Sequence, residues 1–241
     1  GYLDEKYSVV AGERGAYWLK TTAHGKPAHG STPALGRNAI EMTNEFLGCL
    51  KALEMDSVKT PADAEQLIKN GMKELVKVAK KQGVPVNDLT KTLTHYTLNV
   101  GIIKGGTKAN VVPEKCEAEV DIRIPAGGHL EGVDEFVRSI LPKKVEYEVI
   151  NQTLPSYTPS DSQLIKTLEK GVSQVFGYSP VVTYMPATSD AHFFREVLNI
   201  PTGSFGPGYE EVLHAYNEFV ILKDVENAAK VYAGTIAELL S

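Results

Sequence analysis

Between Cys116 and Ile124 apolar and charged residues alternate without a break: Cys116, Ala118, Val120, Ile122 and Ile124 form one set, Glu117, Glu119, Asp121 and Arg123 the other. Successive side chains of a strand point to opposite faces, so this period of two predicts a strand with one face on a core and one face free. The constraint spreads outward. Thr94, Tyr96, Leu98, Val100 and Ile102 repeat the period upstream and predict a neighbouring strand. The polar stretch Gly105 to Pro113 between them is too long for a tight hairpin.

The flanks extend the pattern. Ala16 to Ala23, with Tyr17, Trp18, Thr21 and Thr22, reads as a strand ended by His24-Gly25-Lys26-Pro27. Ile40, Thr43, Leu47, Leu50 and Leu53 recur at helical spacing and predict a helix from about Arg37 to Glu54. Leu130, Val133, Phe136, Val137 and Ile140 predict another, and Val145, Tyr147 and Val149 a further strand. A helix after Thr60-Pro61-Ala62-Asp63 carries Ile68, Met72, Leu75, Val76 and Ala79, with Gly83 placed to end it. With that helix set aside as an insertion, the order from Ala16 to Ile150 is β-α-β-β-α-β. That is a ferredoxin-like module, a four-stranded antiparallel sheet with two helices on one face.

The rhythm changes near Asn151 to Pro155. Leu164, Leu168, Val172 and Val175 predict a helix after Ser160-Asp161, and Val181 to Tyr184 a short strand. Thr188-Ser189-Asp190 reads as the cap of a helix through Val197, and Ile200 to Phe205 and Phe219 to Leu222 as buried strands. Asp224 reads as the cap of a last helix whose inner face is Val225, Ala228, Ala229, Tyr232, Ile236 and Leu239. Helices alternating with short apolar strands imply α/β packing, but about three strands leave too little sheet for these helices to cover. This segment reads as half a domain.

Composition excludes some partners. The net charge is -5 and no run of Lys and Arg is clustered to follow a phosphate backbone, so nucleic acid is a poor partner. No stretch reaches the roughly 20 apolar residues needed to span a bilayer, and no secretory pattern opens the chain. Cys49 and Cys116 make neither a disulfide framework nor a metal pair by spacing, which points to the reducing cytoplasm. The opening Gly1-Tyr2 in place of Met suggests a piece of something longer.

Four segments, in order, carry a resemblance: Gly25-Lys26-Pro27-Ala28-His29-Gly30-Ser31-Thr32-Pro33, Lys108-Ala109-Asn110-Val111-Val112-Pro113, Asp121-Ile122-Arg123 and His214-Ala215-Tyr216-Asn217-Glu218. Thr188-Ser189-Asp190 and Gly206-Pro207-Gly208 support them. Each is weak alone; together they resemble the metal-dependent aminoacylase and carboxypeptidase family that includes acetylornithine deacetylase and succinyl-diaminopimelate desuccinylase. The resemblance implies an α/β catalytic domain holding two zinc ions, with cobalt or manganese as substitutes, and an inserted ferredoxin-like lid that mediates homodimerisation. By it, residues 12–152 are the lid, and 1–11 with 153–241 are the C-terminal part of the catalytic domain.

The same resemblance implies roles. His214 corresponds to a zinc ligand, with Tyr216, Asn217 and Glu218 either supporting it or simply packing. His29 corresponds to the lid histidine that stabilises the oxyanion and reaches the partner subunit's site. Asn110 and Arg123 correspond to residues binding substrate carbonyl and carboxylate groups, Arg through its planar fork. Thr188 and Gly208 lie where backbone donors would serve the substrate, or where they are ordinary caps and turns. His24, His95, His129 and His192 find no firm role. One departure is large: the family's His-x-Asp motif, bridging Asp and paired glutamates are not found, and Glu210-Glu211 follows the lid and does not replace them. One histidine cannot hold two ions and a bridging water. The expectation is therefore part of a zinc amidohydrolase for N-acyl amino acids or small peptides with a free carboxylate, inactive as an isolated chain. The alternatives are a non-catalytic assembly module and a degenerate relative.

Overall fold

The structure, a computed structural model, describes residues 2–3, 6–209, 212 and 215–241. Its strands and α-helices are β1 (Tyr2–Leu3), β2 (Lys6–Glu13), β3 (Gly15–His24), α1 (Ala39–Leu50), α2 (Glu65–Gln82), β4 (Thr97–Gly105), β5 (Lys115–Ile124), α3 (Leu130–Ile140), β6 (Val145–Thr153), β7 (Ser156–Tyr157), α4 (Gln163–Phe176), β8 (Val181–Met185) and α5 (Leu222–Leu239). They divide into two compact units: Gly1–Arg14, Thr60–Thr94 and Pro155–Ser241 form the first, Gly15–Lys59 and His95–Leu154 the second.

The second unit is the ferredoxin-like module. Its sheet runs β4-β5-β3-β6 with every neighbouring pair antiparallel. β3 and β5 stay in register from Gly15 against Ile124 to His24 against Lys115. The alternation therefore works as a sheet face: Val120, Ile122 and Ile124 join Tyr17 and Leu19 in a core closed by Phe46 and Leu50 of α1 and by Val133 and Val137 of α3. Asn38 starts α1, its Oδ1 accepting from Ile40 N at 2.9 Å and Glu41 N at 3.3 Å. Two expectations shift. Ile40 is 37% exposed and the wholly buried Phe46 fills the helix face in its stead. In β4 the register slips between Val100 and Ile102, so Gly101 is an extra residue and Ile102 pairs with Glu119. The bulge turns Ile102 onto the free face, where it borders a shallow hollow with Trp18 and Ile150.

The first unit centres on β2, a strand the sequence pattern did not single out. β1 and β7 pair with it antiparallel and β8 parallel. α2 packs on β8, and Gly71 is why it fits so closely: a Cβ there would stand 2.2 Å from the Tyr184 carbonyl oxygen. The helix set aside as an insertion thus folds with the first unit, so the compact second unit is narrower than the expected 12–152 lid by Thr60–Thr94. α2 begins at Glu65, not beside Thr60, and Asp63 accepts from Tyr157 Oη at 2.7 Å. Gly83 ends it with φ of 68°. Ser162, not Ser160, caps α4.

Two expected buried strands do not form. Ile200 to Phe205 contributes only a bridge from Ser204 to Val10, and Phe219 to Leu222 is exposed chain running into α5. An apolar run becomes a strand only where a sheet edge accepts its backbone groups. α5 is also rotated from expectation. Ala228, Val231 and Thr235 are buried toward α4, with Gly171 allowing the close approach, while Val225, Tyr232 and Ile236 are exposed.

Candidate active site

In the second unit, two loops are laced by their backbones. Gly25 N donates to Glu114 O at 2.8 Å, Gly30 N to Asn110 O at 2.8 Å, Val112 N to Ala28 O at 2.9 Å and Ala39 N to Pro113 O at 3.0 Å. A Cβ at Gly30 would lie 2.9 Å from Asn110 Cα, so the two strands of chain meet only because residue 30 is glycine. The lacing makes His29 and Asn110 neighbours while leaving both exposed. A cleft of about 540 Å³ opens beside them, lined by Gly30, Asn38, Gly106, Lys108 and Val111 among others.

The His29 ring has a set orientation. Its Nδ1 accepts from the Ser31 backbone N–H at 3.2 Å and lies 2.7 Å from Ser31 Oγ. A backbone N–H can only donate, so Nδ1 holds the lone pair and the neutral ring carries its proton on Nε2. His29 therefore offers an N–H donor on its far side.

Arg123 is on the same strand network but far off. It pairs with Ala16 and Thr97 at the end of β5 opposite to Lys115, where the laced loop joins. Eight residue steps at about 3.4 Å each separate the two ends by roughly 27 Å. Its Nε and Nη2 both donate to Asp121 Oδ2, at 3.0 and 2.9 Å. That edge of the guanidinium is held by a neighbour on its own face of the strand.

In the first unit, Thr188 Oγ1 donates to Arg14 O at 2.8 Å, so its hydroxyl ties down the turn. The residues that fix this turn were not singled out from sequence. Glu13 is fully buried, and its Oε2 accepts from Ser189 N at 2.9 Å and Ser189 Oγ at 2.5 Å. Its Oε1 stands 2.8 Å from Nη2 of the buried Arg195. Arg195 also donates from Nε to Ser156 Oγ and from Nη1 to Thr202 O, each at 2.9 Å. Burial lowers the Arg195 pKa, opposed by the adjacent carboxylate. The available signal was the charged pair Glu13-Arg14 directly after the small and apolar run Val9-Val10-Ala11-Gly12. Gly208 has φ of 147°, backbone that suits only glycine. Tyr216 is fully exposed, and His214 lies outside the described residues. His24 Nε2 lies 3.6 Å from Glu146, and His192 Nδ1 lies 2.6 Å from Ser189 O.

Among the described residues no group of three or more His, Cys, Asp and Glu side chains could hold a metal ion, so the described part of the chain does not by itself fit a metal centre. No described helix is long and apolar enough to cross a membrane.

Residues 11–148 match the family model of the M20 peptidase dimerisation domain. Acetylornithine deacetylase of Vibrio atlanticus is 28% identical over 235 residues, covering 94% of this chain and 53% of the relative. A probable carboxypeptidase of Arthroderma gypseum is 28% identical, covering 96% and 47%. Among solved structures, an M20 family metallo-carboxypeptidase from Sulfolobus solfataricus has a TM-score of 0.80 at 19% identity, covering 98% of this chain and 61% of the other. Human carnosine dipeptidase 1 has a TM-score of 0.67 at 18% identity, covering 95% and 56%. The chain spans about half the length of the curated relatives it matches.

Proposed function

Given that the chain belongs to the M20 peptidase family, we propose that it is the lid and the C-terminal part of the catalytic domain of an amidohydrolase. Its substrates are N-acyl amino acids or small peptides with a free carboxylate, and its compartment is the cytoplasm. The observation that carries the reading is the His29 ring. Ser31 holds the Nδ1 lone pair, which leaves Nε2–H aimed away from the loop as a donor. A donor preset toward charge that develops on an attacked carbonyl oxygen lowers the barrier by about 3–4 kcal/mol. Asn110, brought alongside by the backbone lacing, serves the substrate carbonyl.

Arg123 receives the substrate carboxylate, with Asp121 holding the guanidinium in place. The Thr188 turn and the Gly208 backbone supply N–H donors to substrate. The roughly 27 Å along β5 exceeds the length of an N-acyl amino acid, so His29 and Arg123 of one protomer do not meet on one substrate. A homodimer resolves this: His29 and Asn110 act on the partner's site. The metal assigned to the complete enzyme is zinc, two ions with cobalt or manganese as substitutes, and His214 is the one ligand assigned to this chain. As an isolated chain it is expected to show negligible hydrolysis. Exposed apolar side chains in the first unit, among them Phe193, Phe194, Val197, Phe219 and Ile236, support a surface that further polypeptide covers.

Subunit mixing tests the reading. In the longest native form of the protein containing this chain, His29→Ala and Arg123→Met should each lose about 10²–10³ in kcat/KM. Mixed dimers of the two should regain activity, because one of their sites keeps both groups. Absence of any recovery in verified heterodimers sinks the shared site. A second reading is an assembly module without chemistry, favoured by the match to a dimerisation domain. A stable dimer by ultracentrifugation, with no hydrolysis and no metal in the native form, would establish it.

A further inference from the structure

Glu13 and Arg195 form a buried ion pair that the proposed chemistry leaves without a task. Buried ion pairs are poor stabilisers, because taking two charges out of water offsets most of their attraction. An apolar pair of similar volume would usually hold the fold as well. What the charged pair adds is direction. Glu13 accepts both the N–H and the hydroxyl of Ser189 on one carboxylate oxygen. Arg195 fixes the other oxygen and reaches Ser156 and Thr202, so one ion pair joins the end of β2, the start of β7, the Thr188–Ser189 turn and the chain at Thr202. Tyr184 Oη closes on Glu13 O at 2.6 Å, and Thr188 Oγ1 on Arg14 O.

A second observation lies in the helix that follows. Over Phe193–Val197 it is wound as a π-helix, with Leu198 N donating back to Phe193 O at 3.2 Å. Arg195 is the middle residue of that segment and its only buried one. Inserted π turns re-aim side chains and recur at functional sites. Here the local winding accompanies delivery of a guanidinium to a carboxylate beneath the turn. The turn also sets the next histidine: His192 Nδ1–H donates to Ser189 O, which places the lone pair of the neutral ring on Nε2.

We propose that Glu13 and Arg195 are positioning residues, holding the Thr188–Ser189 turn and the His192 ring in the geometry in which that turn receives substrate. The inference rests on the reading that the turn binds substrate. The decisive variant is Glu13→Leu with Arg195→Met, made in the longest native form, because it removes both charges and keeps the volume. The expected result is a melting temperature at or above the parent's with a kcat/KM lower by roughly 10–100-fold, carried by KM, since slight misplacement suffices for such losses. Recovery of both stability and kcat/KM in the double variant would overturn the proposal. Should that variant fail to fold, Ser189→Ala and Ser189→Thr decide. The alanine should raise KM and the threonine, which keeps the hydroxyl, should restore most of it; parental KM in the alanine variant overturns the idea. If the parent hydrolyses no N-acyl amino acid or peptide, the functional reading has failed on its own. The positioning claim is then read by amide hydrogen exchange and by the histidine nitrogen shifts. In the double variant Ser189 N–H should exchange more than roughly tenfold faster than its neighbours and His192 should lose its single tautomer. Unchanged exchange and tautomer refute it.

Discussion

Two polar constellations in this molecule are built by opposite means. Around His29 and Asn110 the backbone carries the structure: four N–H to C=O hydrogen bonds lace two loops together, and the side chains stand exposed. Around Glu13 the side chains carry it, and a buried carboxylate and guanidinium hold the turn that the backbone alone would leave loose. The difference separates stability from function. An exposed side chain on a backbone lattice is removable without loss of fold. A buried charge is not removable alone, because its partner remains desolvated.

The largest effect should come from Arg195→Ala, which leaves the Glu13 carboxylate buried and uncompensated. It should cost about 3–5 kcal/mol by denaturant unfolding, and a cost under about 1 would mean that the pair is hydrated and the contrast false. Gly30→Ala comes next. Its Cβ would press on the Asn110 backbone, so about 1–3 kcal/mol should be lost, with His29 and Asn110 amides losing protection together.

A third test uses pH. Asp134 accepts from Arg138 Nε at 2.6 Å and from Tyr17 and Tyr147 Oη at 2.8 Å each. The Arg138 hydrogen bond holds its pKa below the usual carboxylate value; burial opposes it, and the hydrogen bonds from Tyr147 and Tyr17 add to the lowering. A depressed folded pKa means the contribution is complete above the unfolded value and is lost as pH falls through the folded one. Unfolding of the second unit should therefore ease as pH falls below about 4, and Asp134→Asn should flatten that limb while lowering stability at neutral pH by about 1 kcal/mol. The smallest effect should be His29→Ala, within about 0.5 kcal/mol of the parent in stability. A larger loss would place His29 among the structural groups with Glu13.

Much of the second unit was legible because its signals are local. The period of two in β5, the helical spacing in α3 and the Gly25 and Gly105 breaks each depend on residues a few positions apart. β3 matched its expected bounds within a residue at each end. Misses came where a distant partner decides. Ile102 changed face because Gly101 bulges against β5, a slip that alternation alone cannot reveal. Thr60-Pro61 read as a helix start, but Asp63 found Tyr157, ninety-four residues on, and the helix began later. Phe219 to Leu222 read as a buried strand and lacked a sheet edge to join.

The sequence by itself determined the ferredoxin-like module, the resemblance to the M20 enzymes and the identity of His29, Asn110, Arg123 and Thr188 as candidates, because pattern and residue type are written along the chain. The tertiary structure decided which of them are neighbours. It laced His29 to Asn110 and put Arg123 at the far end of β5. It took Thr60–Thr94 out of the compact second unit and packed α2 on β8. It also showed what holds the Thr188 turn. Glu13 and Arg195 lie 182 positions apart in sequence, and only burial together makes each charge tolerable, so no local signal could have paired them.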